Sequence, residues 1–453
     1  MPITMTIKTF RYFIFSFGII LAFSNCSGNK KSDKKNSEQK AENVLLYNIP
    51  PPKAISETER QKISAQCQLF YDTVLAPSAF NGGIIVAKGG NIIFEKYKGF
   101  VNMSNGDLIT AFTPLHIASI SKTFTAMAVL KLQEEGKLNI NDTITRFFPS
   151  FNYPGVTVKT LLNHRSGLPN YLYFMEKAGW STDSVISNND VLTWLINKKS
   201  EIKDISTADT KFTYCNTNFA LLALIIEKVS GLSYPDFMKK NIFDPIGLKN
   251  TFVHHSGDNK MRSKSFDWKG REIPDNFLDI VYGDKNIYST PQDLLLWDRA
   301  LTDTSFLSVK SLEAAYTPYS NERPGIKNYG LGWRMNIYDN GKKIIFHTGW
   351  WHGNNAIFIR LLDADATIIV ISNRYARSVF SAKYLVNIFG HYFDAESVDP
   401  ENVVPETLPE IFPVPTREEM KNLKRGLKTA ADSVNTSAVK KETLTKIKRV
   451  RRH

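Results

Sequence analysis

Seven residues in three short clusters have side chains suited to acyl transfer: Ser119 with Lys122, Tyr214 with Asn216, and the run His347-Thr348-Gly349. A serine hydroxyl is a weak nucleophile at neutral pH. Acyl transfer therefore needs a proton acceptor beside the serine, a relay that protonates the leaving group, and donors aimed at the developing oxyanion. A lysine three residues after a serine reaches its hydroxyl when both lie on one helical turn. The elements around each cluster thus decide whether its residue types carry chemistry.

The spacing Ser-x-x-Lys also occurs at Ser32, Ser37, Ser200 and Ser437, in polar or basic stretches with no rigid support. Ser119 differs. It follows an extended, proline-containing approach over residues 112–117 and precedes an apolar helix expected over 124–135, with Gly136 at the stop position. Tyr214 and Asn216 lie on the loop entering a second apolar helix, 219–229, closed by Ser230-Gly231. Loops held by such supports can aim side chains into a cleft. His347-Thr348-Gly349 follows the strand-like run 343–346, and further strands are expected over 356–362 and 367–372 around a turn at 363–365. Gly349 leaves room for a ligand to approach the strand backbone.

In order, spacing and context these clusters resemble the serine β-lactamase and penicillin-binding family, in particular its class C β-lactamase, D-alanyl-D-alanine carboxypeptidase and family VIII esterase branch. Similar stretches lie at residues 112–149, 161–169, 214–231, 287–294, 329–333 and 346–353, so the resemblance runs from about residue 56 to 395. It implies an α+β fold of the β-lactamase/transpeptidase type, with a mainly antiparallel sheet flanked by helices, a mostly helical region, and the active site between them. It also implies that Ser119 attacks the carbonyl and that Lys122 is the base or its relay. Tyr214 would carry a proton to the leaving group, and Asn216 would hold the substrate amide. His347, Thr348 and Gly349 would form the opposite wall, and the backbone N–H groups of Ser119 and Trp350 the oxyanion hole. Lys122 and Tyr214 both stay open as the acylation base.

Two positions depart from the family pattern. His347 stands where class C β-lactamases usually have lysine; a neutral imidazole is a hydrogen-bond partner, whereas lysine is a cation suited to a carboxylate. This favours neutral esters and peptide-like amides over β-lactams as substrates. Cys215 stands where serine or alanine is usual, and reads as a packing residue whose thiol lies beside the site.

At 453 residues and 42% hydrophobic, the chain can bury one large core or two lobes. Residues 1–25 read as a signal peptide, with Lys8 and Arg11 ahead of an apolar run at 12–23 that is short for a membrane span. Cys26 follows at once and resembles the lipidated residue of a bacterial lipoprotein, which would attach the protein to a membrane; the alternative is an ordinary cut after Ser24. Residues 26–55 then form a polar tether, 56–400 the hydrolase domain, and 401–453 a Pro-rich and then basic tail.

Apart from Cys26 only Cys67 and Cys215 are present, too few for a disulfide framework. No Cys/His cluster has metal-ligand spacing, so no metal or other cofactor is expected; His254 and His255 read as surface residues, and His164 and His352 as structural hydrogen-bonders. The net charge of +13 does not indicate nucleic acid. Residues 1–41 hold seven Lys/Arg and two Asp/Glu, and 417–453 hold twelve and four, so the whole excess sits at the two ends and the body is neutral.

Residues 83–87 and 92–97 read as a hairpin, helices are expected near 56–75 and 378–393, and the middle, 110–300, as mostly helical. Two classes of function follow. One is an exported, cell-envelope serine hydrolase acting on an ester or a peptide-like amide, as an esterase, D-amino-acid peptidase or carboxypeptidase, with a class C-like β-lactamase as the alternative. The other is a non-catalytic relative that binds peptidoglycan peptides or a partner protein. The presence of every named side chain favours the enzyme.

Overall fold

The computed structural model describes residues 47, 49–203, 205–258 and 262–394. The signal peptide, Cys26, most of the tether and the basic tail lie outside the described residues. The hairpin expected near residue 83 is β1 (Gly82–Lys88) and β2 (Asn91–Lys98), followed by a short ribbon of β3 (Phe100–Asn102) and β4 (Asp107–Leu108). β5 (Leu115–His116), β6 (Phe252–Val253) and β7 (Ile287–Ser289) pair as a small antiparallel sheet in the order β5-β7-β6. The chain then runs through β8 (Lys327–Tyr329), β9 (Arg334–Ile337), β10 (Lys343–Trp351), β11 (Asn354–Leu361) and β12 (Ala366–Ser372). These five and the first hairpin form one seven-stranded antiparallel sheet, ordered β2-β1-β12-β11-β10-β9-β8.

The central strands read as unbroken apolar runs because both faces of this sheet are covered. Side chains alternate along a strand. In β1, Ile85 and Ala87 join one buried cluster while Ile84 and Val86 join another; in β12, Ile369 and Ile371 are divided from Ile368 and Val370 in the same way. The first cluster contains the helices Ser121–Glu134, Asn216–Ser230 and Pro291–Ala300. The second contains Ile63, Cys67 and Phe70 of the N-terminal helix and Val379, Ala382 and Leu385 of a late segment.

The N-terminal helix spans Glu57–Phe70, capped by the Ser56 side chain, and continues as a π-turn over Tyr71–Leu75. The late segment, expected as a helix over 378–393, is instead a 3₁₀ helix over Arg377–Ile388. Val379, Ala382 and Leu385 recur every three residues, the period that stacks side chains on one side of a three-residue turn. The small β5-β7-β6 sheet, which the helical reading of the middle region did not contain, interrupts the helices just before the nucleophile. No described helix is long and apolar enough to cross a membrane.

Candidate active site

Ser119 lies on a 3₁₀ turn, Ala118–Ile120, that leads directly into the helix Ser121–Glu134. The turn is strained: Ala118 has φ +48, a left-handed conformation that costs alanine roughly 1–3 kcal/mol. Its surroundings hold it there. The Ala118 N–H donates to His116 Nδ1 at 3.2 Å, whose Nε2–H donates to Asn286 Oδ1 at 3.1 Å. Burial pushes the His116 pKa down to about 3, so this link stays neutral. The Ile117 N–H donates to the Ile287 carbonyl at 3.0 Å, and the Ile287 N–H to Ser121 Oγ at 3.1 Å, which ties the turn to β7. Strand β10 packs against its other side. A Cβ at Gly349 would overlap the Ile117 carbonyl oxygen, so the glycine serves the close approach of strand to nucleophile turn as well as any approach of ligand.

The helix places Lys122 one turn after Ser119. Its side chain is fully buried, and Nζ donates to Ser119 Oγ at 2.9 Å and to the Asp284 carbonyl at 2.7 Å. The helices Ser121–Glu134 and Asn216–Ser230 pack on each other, which brings the second cluster alongside. Nζ is 5.1 Å from the centre of the Tyr214 ring and 5.7 Å from that of Phe219. Tyr214 is partly exposed. Asn216 opens its helix at 9% exposure, and its buried Oδ1 has no hydrogen-bond partner among the described residues. The apolar residues 219–226 that follow are all buried, which fixes the helix start, and Gly231 ends it in the left-handed conformation at φ +71.

The His347 ring centre lies 6.4 Å from that of Tyr214. His347 is fully buried; Nδ1–H donates to the Thr348 carbonyl at 2.7 Å, so Nε2 is the acceptor for the Tyr329 O–H at 3.1 Å. Both nitrogens are engaged, and burial together with Arg334 and Lys122 holds its pKa well below 6.5. A cation nevertheless stands on this wall. Arg334, on β9 one residue beyond the run 329–333, is partly exposed, with its guanidinium carbon 4.7 Å from the centre of the Tyr214 ring. The sequence reading missed it.

It also missed the support beneath Lys122. Asp284 presents its carbonyl to Lys122, while its carboxylate accepts the Tyr171 O–H at 3.0 Å and pairs with buried Lys285 at 3.7 Å. Lys285 Nζ in turn lies 4.7 Å from the centre of the Trp351 ring, next to Trp350. The Cys215 thiol is buried and donates to the Leu168 and Pro169 carbonyls at 3.4 Å; burial raises its pKa to about 11, as suits a packing residue. His352 is a hydrogen-bonder, Nε2–H donating to both Asp279 oxygens at 2.9 Å. His254 is not a surface residue: it is buried at the end of β6, 3.5 Å from Asp258. A cavity of about 140 Å³ is lined by His116, Asp279, Tyr288, Trp351 and His352, among others, and by none of Ser119, Lys122, Tyr214 or Asn216.

The family model described as Beta-lactamase matches residues 75–389. Penicillin-binding protein 4* of Bacillus subtilis (strain 168) is 31% identical over 356 residues, covering 74% of this chain and 78% of the relative. An octameric penicillin-binding protein homologue from Pyrococcus abyssi has a TM-score of 0.62 at 25% identity, over 75% of this chain and 79% of that one. A D-amino acid amidase from Ochrobactrum anthropi SV3 shares the fold, with a TM-score of 0.57 at 21% identity over 72% and 97% of the two chains. A family model that spans most of the chain, together with a relative of this identity and coverage, places the sequence: it belongs to the beta-lactamase family of penicillin-binding-like serine hydrolases.

Proposed function

We propose that this chain hydrolyses esters or peptide-like amides through an acyl-enzyme on Ser119, as a D-amino-acid peptidase, carboxypeptidase or related esterase. The observation that carries the reading is the 2.9 Å hydrogen bond from Lys122 Nζ to Ser119 Oγ, with the lysine fully buried and its other hydrogen bond made to a main-chain carbonyl. Ser119 Oγ attacks the carbonyl carbon, and its proton passes to the Lys122–Tyr214 pair. That pair returns the proton to the departing amine or alcohol as the C–N or C–O bond breaks. Water then attacks the acyl-enzyme, the same pair takes its proton, and Ser119 leaves with that proton restored. The backbone N–H groups of Ser119 and Trp350 bind the oxyanion, Asn216 binds the substrate amide, and Thr348 and Gly349 line the strand side.

Arg334 narrows the substrate. A permanent cation beside Tyr214 suits a leaving group that bears a carboxylate, so a peptide ending in a D-amino acid fits this wall better than a neutral ester. The Ochrobactrum protein that shares this fold is named a D-amino acid amidase. We place the enzyme in the cell envelope, anchored through Cys26. Acyl-chain mass on the mature N-terminus tests that anchor, and an unlipidated, soluble protein starting at Asn25 would overturn it.

Intact mass after treatment with a fluorophosphonate should show one adduct, absent from Ser119→Ala. Equal labelling of that variant would refute the nucleophile. Comparing kcat/KM for a D-Ala-D-Ala peptide, p-nitrophenyl acetate and a cephalosporin tests the substrate; a cephalosporin value far above the other two would show a β-lactamase.

A further inference from the structure

His164 sits in the turn after the helix Val158–Leu162, fully buried and in the left-handed region at φ +57. It holds the chain on both sides of Tyr214. Its carbonyl accepts the Thr213 N–H at 2.9 Å, and its Nδ1 accepts the Cys215 N–H at 3.1 Å. The Asn218 side-chain amide reaches the same Nδ1 at 3.3 Å. With donors on Nδ1, the proton of the neutral ring is on Nε2, and that buried atom has no partner among the described residues. The imidazole also lies under the phenol, ring centres 4.3 Å apart and planes at 39°, and is walled by Tyr329 at 4.8 Å and Phe219 at 5.2 Å.

A core position designed for stability alone would not keep an unsatisfied N–H in so apolar a box, because a buried donor without a partner is destabilising. A phenylalanine would fill the same space, yet it would leave the Cys215 N–H without its acceptor. What histidine adds is one acceptor at one point, and that point fixes the main chain that carries Tyr214.

We infer that His164 is a positioning residue for Tyr214: it brackets the main chain at 213 and 215 and floors the phenol, so that the hydroxyl stays in register with Lys122 and Ser119. It neither touches substrate nor exchanges a proton. The inference rests on Tyr214 taking part in proton transfer, as proposed above.

The test compares His164→Ala, His164→Asn and Tyr214→Phe, alone and combined, in the full chain, by p-nitrophenyl acetate hydrolysis and fluorophosphonate titration of Ser119. Asparagine tolerates the left-handed backbone and keeps an acceptor oxygen near the place of Nδ1. His164→Ala should lower kcat by about 30-fold with KM within about 3-fold and the titratable fraction unchanged, and in the Tyr214→Phe background its cost should fall below about 3-fold. His164→Asn should stay within about 5-fold of the unaltered enzyme and keep the shape of its pH–kcat profile between pH 5.5 and 8.5, since a neutral histidine contributes no limb there. If the alanine variant does not fold, the asparagine variant decides alone: a loss above about 30-fold overturns the inference. A costly Tyr214→Phe with fully additive His164→Ala overturns this inference alone, whereas a Tyr214→Phe of unchanged turnover overturns the proton-transfer role of Tyr214 and this inference with it.

Discussion

The guanidinium carbon of Arg334 stands 4.7 Å from the centre of the Tyr214 ring, so a wall whose motif begins with histidine instead of lysine still carries a permanent cation. The cation has moved to the neighbouring strand β9, where Arg334 pairs with Phe346, the residue before His347. Arg334→Met should therefore lower kcat/KM for a peptide with a C-terminal D-alanine by about 30-fold, close to 2 kcal/mol for a charge-assisted hydrogen bond to its carboxylate. Hydrolysis of p-nitrophenyl acetate should change by less than about 3-fold. Equal losses on both substrates would show that the arginine only supports the Tyr214 ring.

Lys122 and Tyr214 should behave as one proton-transfer unit, because Nζ lies 5.1 Å from the ring centre and bonds Ser119 directly. Lys122→Ala and Tyr214→Phe should each cost about 100-fold or more in kcat, and the double variant little beyond the worse single one. Steady-state rates of the four proteins settle this. Losses that multiply would separate the two roles.

The parts of this site that sequence made legible are those with a local period or a local stop. The helices after Ser119 and Tyr214 announce themselves by apolar runs ending at Gly136 and Gly231, and the strands around His347 by short apolar stretches between turns. Arg334 has no such signature. It is a lone arginine on a short strand, and its partner Tyr214 is brought near only by the sheet packing on the helices. The Asp284 carbonyl that holds Lys122 was invisible for another reason, since a main-chain acceptor leaves no mark on side-chain identity. The motif named His347 but not its partners: the Tyr329 hydroxyl and the Thr348 carbonyl, which engage both ring nitrogens, are set by tertiary packing and strand geometry. Gly349 was legible as a close approach, yet the group that approaches is the nucleophile turn itself.

That contact gives a sharp test. Gly349→Ala puts a methyl group into the Ile117 carbonyl, a backbone atom that cannot swing aside as a flexible side chain could. The turn carrying Ser119 or the strand β10 must shift, at about 1–3 kcal/mol of stability for such overpacking. Urea denaturation should show that loss, and the second-order rate of Ser119 labelling by a fluorophosphonate should fall by about tenfold or more as the oxyanion donors move apart. Full labelling rate in a destabilised protein would mean that the strand yields and the turn does not.

Acid should weaken the fold through its buried neutral histidines. His116, His164 and His347 are all fully buried and neutral: burial puts the first at about 3 and holds the other two well below 6.5. In the unfolded chain each returns to about 6.5. Below that pH the unfolded state binds protons that the folded state excludes, so stability is complete above pH 7 and falls as pH drops through 6.5. Each histidine contributes a slope approaching 1.4 kcal/mol per pH unit, so the three together should cost about 4 kcal/mol between pH 7.5 and 5.5. Asp279, although burial pushes it up, is held low by its bonds from His352 and neighbouring donors, so its own contribution is lost only at lower pH. Urea midpoints at the two pH values measure the difference, and His347→Gln, which keeps a hydrogen-bond partner for the Tyr329 hydroxyl, should remove about one third of it. A midpoint unchanged between pH 7.5 and 5.5 would mean that these rings are solvated or paired in the folded protein, and the neutral His347 wall would fall with it.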